Sequence, residues 1–298
     1  MAEGTVLPCL RHQVPTHGIA YAYRFFDLDV VPFEDLPYVS VLAMMLGKLA
    51  TARHSAAEID TLVNGKLGNF SASAVVFDPA SHGDAAAAPV AKLRIGSSAL
   101  EENVCQLSDL VREILLETDF SDADRIRDRL AQRRLSLEQA FASAGHSFAM
   151  ARLGSYYRKA SVLGDALEGI GFYLFLKDLL DHYDERKDRL VGKLESLRGL
   201  LIDDGRQLVS FAGDDAAFAA FWDEEARLAL PGGGQDAPAV LVAPEPVRRN
   251  EAFAVPTDVC YVAAGGELDG VPDDEALGRW MVAARALSYD YLWNEVRV

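Results

Sequence analysis

Chemistry in this chain would have to be built from six histidines, three cysteines and an excess of carboxylates. The histidines are His12, His17, His54, His82, His146 and His182. None has a second histidine four residues on, and none sits in an H-x-x-E-H run. His182 comes nearest, with Glu185 three residues later, but Asp181 and Tyr183 flank it and no second histidine follows. A zinc ligand set cannot be assembled at these spacings, because the ion needs three or four donors converging from fixed positions. An isolated histidine reads instead as a surface or capping residue. Cys9, Cys105 and Cys260 are odd in number and far apart, which argues against a disulfide framework and a cysteine-type metal site. They read as ordinary reduced or half-buried thiols. No G-x-S-x-G elbow is present. Gly232 to Gly234 lacks the Lys-Ser or Lys-Thr of a phosphate cradle and reads as linker.

Composition removes further classes. The chain has 298 residues, half of them hydrophobic, and a net charge of −16. Phosphate backbones would repel it, so nucleic-acid binding is not expected, and anionic membrane surfaces are disfavoured for the same reason. Met1 to Gln13 lacks the basic start and apolar run of an export signal. The most apolar segments, Val39 to Ala50 and Gly169 to Leu180, each contain a lysine and fall short of the roughly 20 residues a bilayer requires. The expectation is a soluble, cytoplasmic protein with no nucleic-acid or membrane partner and no cofactor held by the segment itself.

The elements that would position any site begin with Thr16 to Thr51. Ile19, Tyr21, Tyr23 and Phe25 form a bulky apolar face, with Ala20, Ala22 and Arg24 on a smaller one, at the period of a half-buried strand. Leu36, Val39, Leu42, Leu46 and Leu49 then recur at helical steps. The apolar faces of this strand and helix need cover from later elements. Ser55–Leu67 reads as a helix, Phe70–Phe77 and Val90–Ser97 as paired strands around an exposed Asp78–Pro89 loop. Helices follow over Leu100–Glu117, from a Ser121 cap to about Tyr157, over Gly169–His182 (apolar throughout, hence buried) and over Arg186–Ile202. The arginines from Arg125 to Arg134 read as a solvated helix face. Ala142–Gly154 is rich in Ala, Gly and Ser, which lets another element approach closely. Gln207–Gly213 reads as a strand and Asp214–Leu228 as a helix. Pro231–Asn250, with three glycines and four prolines, is the clearest linker. Phe253–Val262, interrupted by Pro256, reads as an edge strand, and Asp273–Glu295 as a helix. The order β-α-β-β, helices, β-α gives an α+β class: a largely antiparallel sheet with helices on one face. The division is 4–230 as one α+β domain, 231–250 as linker and 251–298 as the incomplete start of a second, related domain.

Several runs carry a resemblance. Phe33-Glu34-Asp35-Leu36-Pro37-Tyr38, Gly145-His146-Ser147-Phe148-Ala149 with Ser155-Tyr156, Gly169-Ile170-Gly171-Phe172-Tyr173, and Leu287-Ser288 with Tyr291 through Val298 resemble the insulinase (pitrilysin) superfamily of zinc peptidases, in its presequence-protease branch. The resemblance implies the layered metallopeptidase fold of the LuxS/MPP type and a place as third domain, plus the opening of the fourth, of a four-domain clamshell. The zinc would belong to the first domain, on an H-x-x-E-H helix with a glutamate base. The helix in the matching place here, Glu34 to Thr51, has neither histidine nor glutamate in its interior. The resemblance also implies that Arg297 reaches toward the zinc site and holds substrate, since a guanidinium presents fixed donors to a peptide carbonyl or oxyanion. Partners would be the other domains of the same polypeptide and peptide substrates, with self-association through residues 251–298. The alternative is a stand-alone, non-catalytic scaffold or peptide-binding module of peptidase ancestry.

Overall fold

The computed structural model describes residues 7–79, 88–222, 230–232, 237–266 and 274–297. Its centre is a five-stranded sheet: β1 (Cys9–His12), β2 (Ile19–Asp27), β3 (Asn69–Phe77), β4 (Val90–Leu100) and β5 (Gln207–Ala212), in the order β1-β5-β2-β4-β3. The β2–β4, β3–β4 and β2–β5 pairs are antiparallel, with Tyr23 opposite Gly96 and Ser210, and Ser71 opposite Gly96. β1, which the sequence reading passed over, adds parallel to β5 at one edge. The α+β class and the three expected strands therefore stand, in a mixed sheet.

One face of the sheet is covered. Ala20, Ala22, Arg24 and Phe26 of β2, Ala91, Leu93, Ile95 and Ala99 of β4, and Val209 and Phe211 of β5 are all buried. Helix α1 (Leu36–Met45) enters through a 3₁₀ turn, Phe33–Asp35, and packs on β3. It stops short of the expected end because Gly47 takes φ 73° and sits against the Phe70 ring, the left-handed cap that glycine supplies cheaply. Helix α2 (Ala56–Lys66) begins at a reciprocal capping box between Ser55 and Glu58. Helix α3 (Gln106–Glu117) lies on β4. Helix α4 (Ala123–Gly154) is capped by Asp122, whose carboxylate accepts from the Arg125 amide, and not by Ser121, whose amide and hydroxyl are taken by Asp119. A kink at Ala144 interrupts it. Helix α5 (Lys159–Leu167) was not legible in the sequence. Helix α6 (Ile170–Asp181) buries Ile170, Phe172, Leu176 and Leu179 but exposes Leu174, so it covers the body with one stripe and is not enclosed. Helix α7 (Tyr183–Leu201) packs beside α1. Helix α8 (Asp215–Trp222) stacks Phe218 and Phe221 on Phe211.

Residues 237–266 form no strand. The edge strand expected at Phe253–Val262 has no ladder partner among the described residues; Pro256 removes one donor, and side chains hold the segment instead. Leu241, Ala243 and Val255 pack against the core, and the amides of Val240 and Leu241 both donate to the Asp29 carbonyl, at 2.7 and 2.8 Å. Helix α9 (Asp274–Ala286) continues through π-helical turns at Leu287–Tyr291 and Trp293–Arg297. Trp280, Met281, Tyr289, Tyr291 and Trp293 on it are exposed. No described helix is long and apolar enough to cross a membrane.

Candidate functional site

The uncovered face of the sheet is where the fold leaves large side chains toward solvent. Its register follows from the pairing: Tyr21, Tyr23 and Phe25 on β2 stand with Lys92, Arg94, Gly96 and Ser98 on β4, with Ser71, Ser73, Val75 and Phe77 on β3, and with Leu208 and Ser210 on β5. Tyr23 and Phe77 are exposed, while Tyr21 and Phe25 are half-buried. Tyr23 and Phe25 stack at 6.4 Å, and Phe25 meets Phe77 edge-on at 6.1 Å. Gly96 is required here, because a Cβ would meet the Tyr23 ring at 3.0 Å and Ser71 Oγ at 2.9 Å. The charges on this face are tied down: Lys92 bonds Asp27, and Arg94 donates to Ser73 Oγ at 3.0 Å. Aromatic faces with phenol hydroxyls, serines and a guanidinium can hold extended polypeptide by stacking and hydrogen bonds. No nucleophile with an adjacent base is assembled there. The sequence reading named the aromatic stripe of β2 correctly, but the helices cover the smaller, alanine-bearing face.

Each described histidine has a local explanation. His12 Nε2 lies 3.2 Å from Ser210 Oγ at the sheet edge. His17 takes φ 51° in the turn into β2. His146 rests beside the Tyr261 ring, and His182 Nδ1 lies 2.9 Å from the Asp178 carbonyl. His82 falls outside the described residues. His54 is the one that belongs to a buried cluster. Glu113, on α3, accepts from Thr51 Oγ1 at 2.5 Å and lies 2.7 Å from His54 Nδ1, with Arg53 Nε at 3.7 Å. Burial pushes the Glu113 carboxyl up, but the hydrogen bonds of Thr51 and His54 and the charge of Arg53 outweigh it and hold the group below its ordinary value. This cluster stitches the turn after α1 to α3. Its members lie 59 to 62 positions apart in the chain, which gives the sequence no local signal.

These residues do not fit a zinc ion. Helix α1, in the place where the resemblance puts the metal-binding helix, is LPYVSVLAMM, without a nitrogen or carboxylate donor, and its Ser40 hydroxyl donates to the Leu167 carbonyl at 2.7 Å. Among the described residues no three His, Cys, Asp or Glu side chains come together as a metal site. Arg297 ends the last π-helical turn, and its side chain lies outside what is described.

The second polar centre is where residues 249–266 cross the C-terminal half of α4. Glu251 receives Arg152 through two bonds, Nε to Oε2 at 2.8 Å and Nη2 to Oε1 at 3.0 Å, and the Tyr156 hydroxyl at 2.6 Å. Arg249 adds a second cation at 2.8 Å. The Arg152 bond, with help from Tyr156 and Arg249, drives the Glu251 carboxyl down to about 2. Farther along, the Tyr261 hydroxyl donates to the Ala142 carbonyl at 2.7 Å, and its ring fills the space over Gly145 beside the Ala144 kink. The close approach expected from the Ala-, Gly- and Ser-rich stretch is therefore that of this segment.

The layered sheet, with helices on one face and a donor-free α1, is that of a peptidase-like α+β domain. Residues 3–179 match the family model described as Peptidase M16 subfamily C associated, and the chain belongs to that family. It is 28% identical over 291 residues to Protein HypA of Clostridium perfringens, covering 97% of this chain and 29% of that protein. It is 25% identical over 291 residues to Presequence protease 1, chloroplastic/mitochondrial, of Arabidopsis thaliana, covering 97% of this chain and 26% of that protein. A mitochondrial presequence protease of Yarrowia lipolytica is also 25% identical over 291 residues, covering 95% and 28%. The chain thus spans less than a third of the length of each of these relatives.

Proposed function

We propose that this chain is a non-catalytic part of a zinc-dependent metalloendopeptidase that degrades peptides, and that it contributes chamber wall and substrate-binding surface. The observation that carries the reading is the alignment of nearly the whole chain with one stretch of proteins named presequence proteases. In this reading the zinc sits on an H-x-x-E-H helix elsewhere in the polypeptide, and the other domains of that polypeptide are the first partners. The open face around Tyr23 and Phe77 meets the peptide, and Arg297 presents its guanidinium to a substrate carbonyl or oxyanion. The protein works in the cytoplasm, with neither nucleic acid nor membrane as partner.

The test uses the complete polypeptide. Peptide hydrolysis should vanish on chelation and return with zinc. Arg297→Ala should lower kcat/KM about a hundredfold, the cost of losing one oxyanion donor, with zinc content unchanged. Wild-type hydrolysis by that variant removes Arg297 from the site. A polypeptide without zinc-dependent hydrolysis would establish the other reading, a scaffold or peptide-binding module of peptidase ancestry.

A further inference from the structure

The segment 249–266 has no ladder and little apolar anchorage. Within it Val255 packs against the core, while Phe253, Val259 and Val262 are exposed. What holds it is polar: the Glu251 cluster at one end, and at the other the Tyr261 seat and the bond from the Tyr157 hydroxyl to the Gly265 carbonyl at 3.0 Å. The receiving side belongs to the body. Arg152 donates to Asp165 as well as to Glu251, and Asp165 also accepts from the Gly171 amide at 3.2 Å. If Glu251 left, Arg152 would keep a carboxylate partner, so the open state strands no unpaired buried cation. Departure of the segment therefore costs a few hydrogen bonds and leaves the core intact.

We infer that residues 249–266 form a releasable strap, locked by the Arg152–Glu251–Tyr156 clip and the Tyr261 seat together. Its release frees helix α9 from the body. The two locks act on one piece of chain. Opening either raises the population in which both are open, because the stretch from 250 to 261 has neither helix nor strand of its own to hold the other end. Since the large side chains of α9 lie exposed and not against the body, the strap fixes where α9, and Arg297 at its end, can go. The inference stands apart from the peptidase reading and concerns this chain alone.

Trypsin cleavage after Arg248 and Arg249 in the full chain reads the open population, since a protease needs local release of the segment. Glu251→Gln should speed these cuts about tenfold, the factor given by about 1.4 kcal/mol, within the range for a charge-assisted bond. Rates are normalised to a synthetic peptide of residues 243–258 with the same substitution. Tyr261→Ala, and independently Gly145→Ala, which puts a Cβ into the Tyr261 ring, should speed the same cuts by a similar factor although they lie far from them in sequence. Cuts within α4, after Arg127 and Arg134, should keep the wild-type rate. The inference fails if Tyr261→Ala and Gly145→Ala leave cleavage at 248–249 unchanged, for then the ends do not move as one piece. It fails equally if α4 is cut faster in step, or if the wild-type strap is cut as fast as the free peptide.

Discussion

Replacing Glu113 with Gln removes one charge and little volume from a site that joins two elements of the body. The side chain is 5% exposed, and its Oε1 is shared by the Thr51 hydroxyl and the His54 ring. Glutamine preserves an acceptor oxygen but turns an amide toward Arg53 and loses the charge assistance. Hydrogen bonds to a charged partner contribute about 1.5–3 kcal/mol, so the substitution should destabilise by about that amount at neutral pH. Glu113 is almost fully shielded from water, so no large screening discount applies to it, while the half-exposed Arg53 adds little. The pH dependence has a definite sign. A carboxyl held below its ordinary 4.5 contributes stability that is present above 4.5 and is lost as pH falls through its depressed folded value. The difference between wild type and Glu113→Gln should therefore be full at neutral pH and shrink in acid. Urea denaturation at a series of pH values measures it as a change in midpoint with unchanged slope. Equal midpoints at neutral pH, or a difference that does not shrink in acid, would refute the assignment of Glu113 as a charged anchor.

Leu42→Ala on α1, at 0% exposure in the main core, should cost about 2–5 kcal/mol in the same assay, and an unchanged midpoint would show that α1 is misplaced. Purified chain should retain no stoichiometric zinc after dialysis and hydrolyse no peptide by itself; one tightly held ion per chain, found by metal analysis, would contradict the donor-free reading of α1. The exposed Trp280, Met281, Tyr289, Tyr291 and Trp293 should make the chain self-associate as concentration rises. Light scattering on the whole chain and on one ending at Gly266 tests this, and two equally monomeric chains would exclude self-association through α9.

The parts of this molecule that the sequence made legible are those fixed by short-range pattern. The alternation in Ala91, Leu93 and Ile95, the steps from Leu36 to Leu46 and the Ser55–Glu58 cap each need only a few neighbouring residues, and each stands in the structure. Alternation could not say which face of β2 is covered. Bulk suggested the tyrosines, yet the buried face is the one that carries Ala20 and Ala22, because small residues on a sheet allow other elements to lie near it. The larger rings are then left on the far side, where Gly96 makes room for Tyr23. The same logic hid the strap. Three glycines and four prolines read as free linker, and nothing near Glu251 in sequence reveals that Arg152, 99 positions earlier, is its partner. The one local hint was on the receiving side, in the small residues from Ala142 to Gly154. A stretch of small side chains on a helix that carries aromatic residues at its end, Tyr156 and Tyr157, marks a surface built to be crossed, although it does not name what crosses it. The two surfaces most open to a partner, the aromatic sheet face and the clip on α4, are thus both set by small residues that let something else come close.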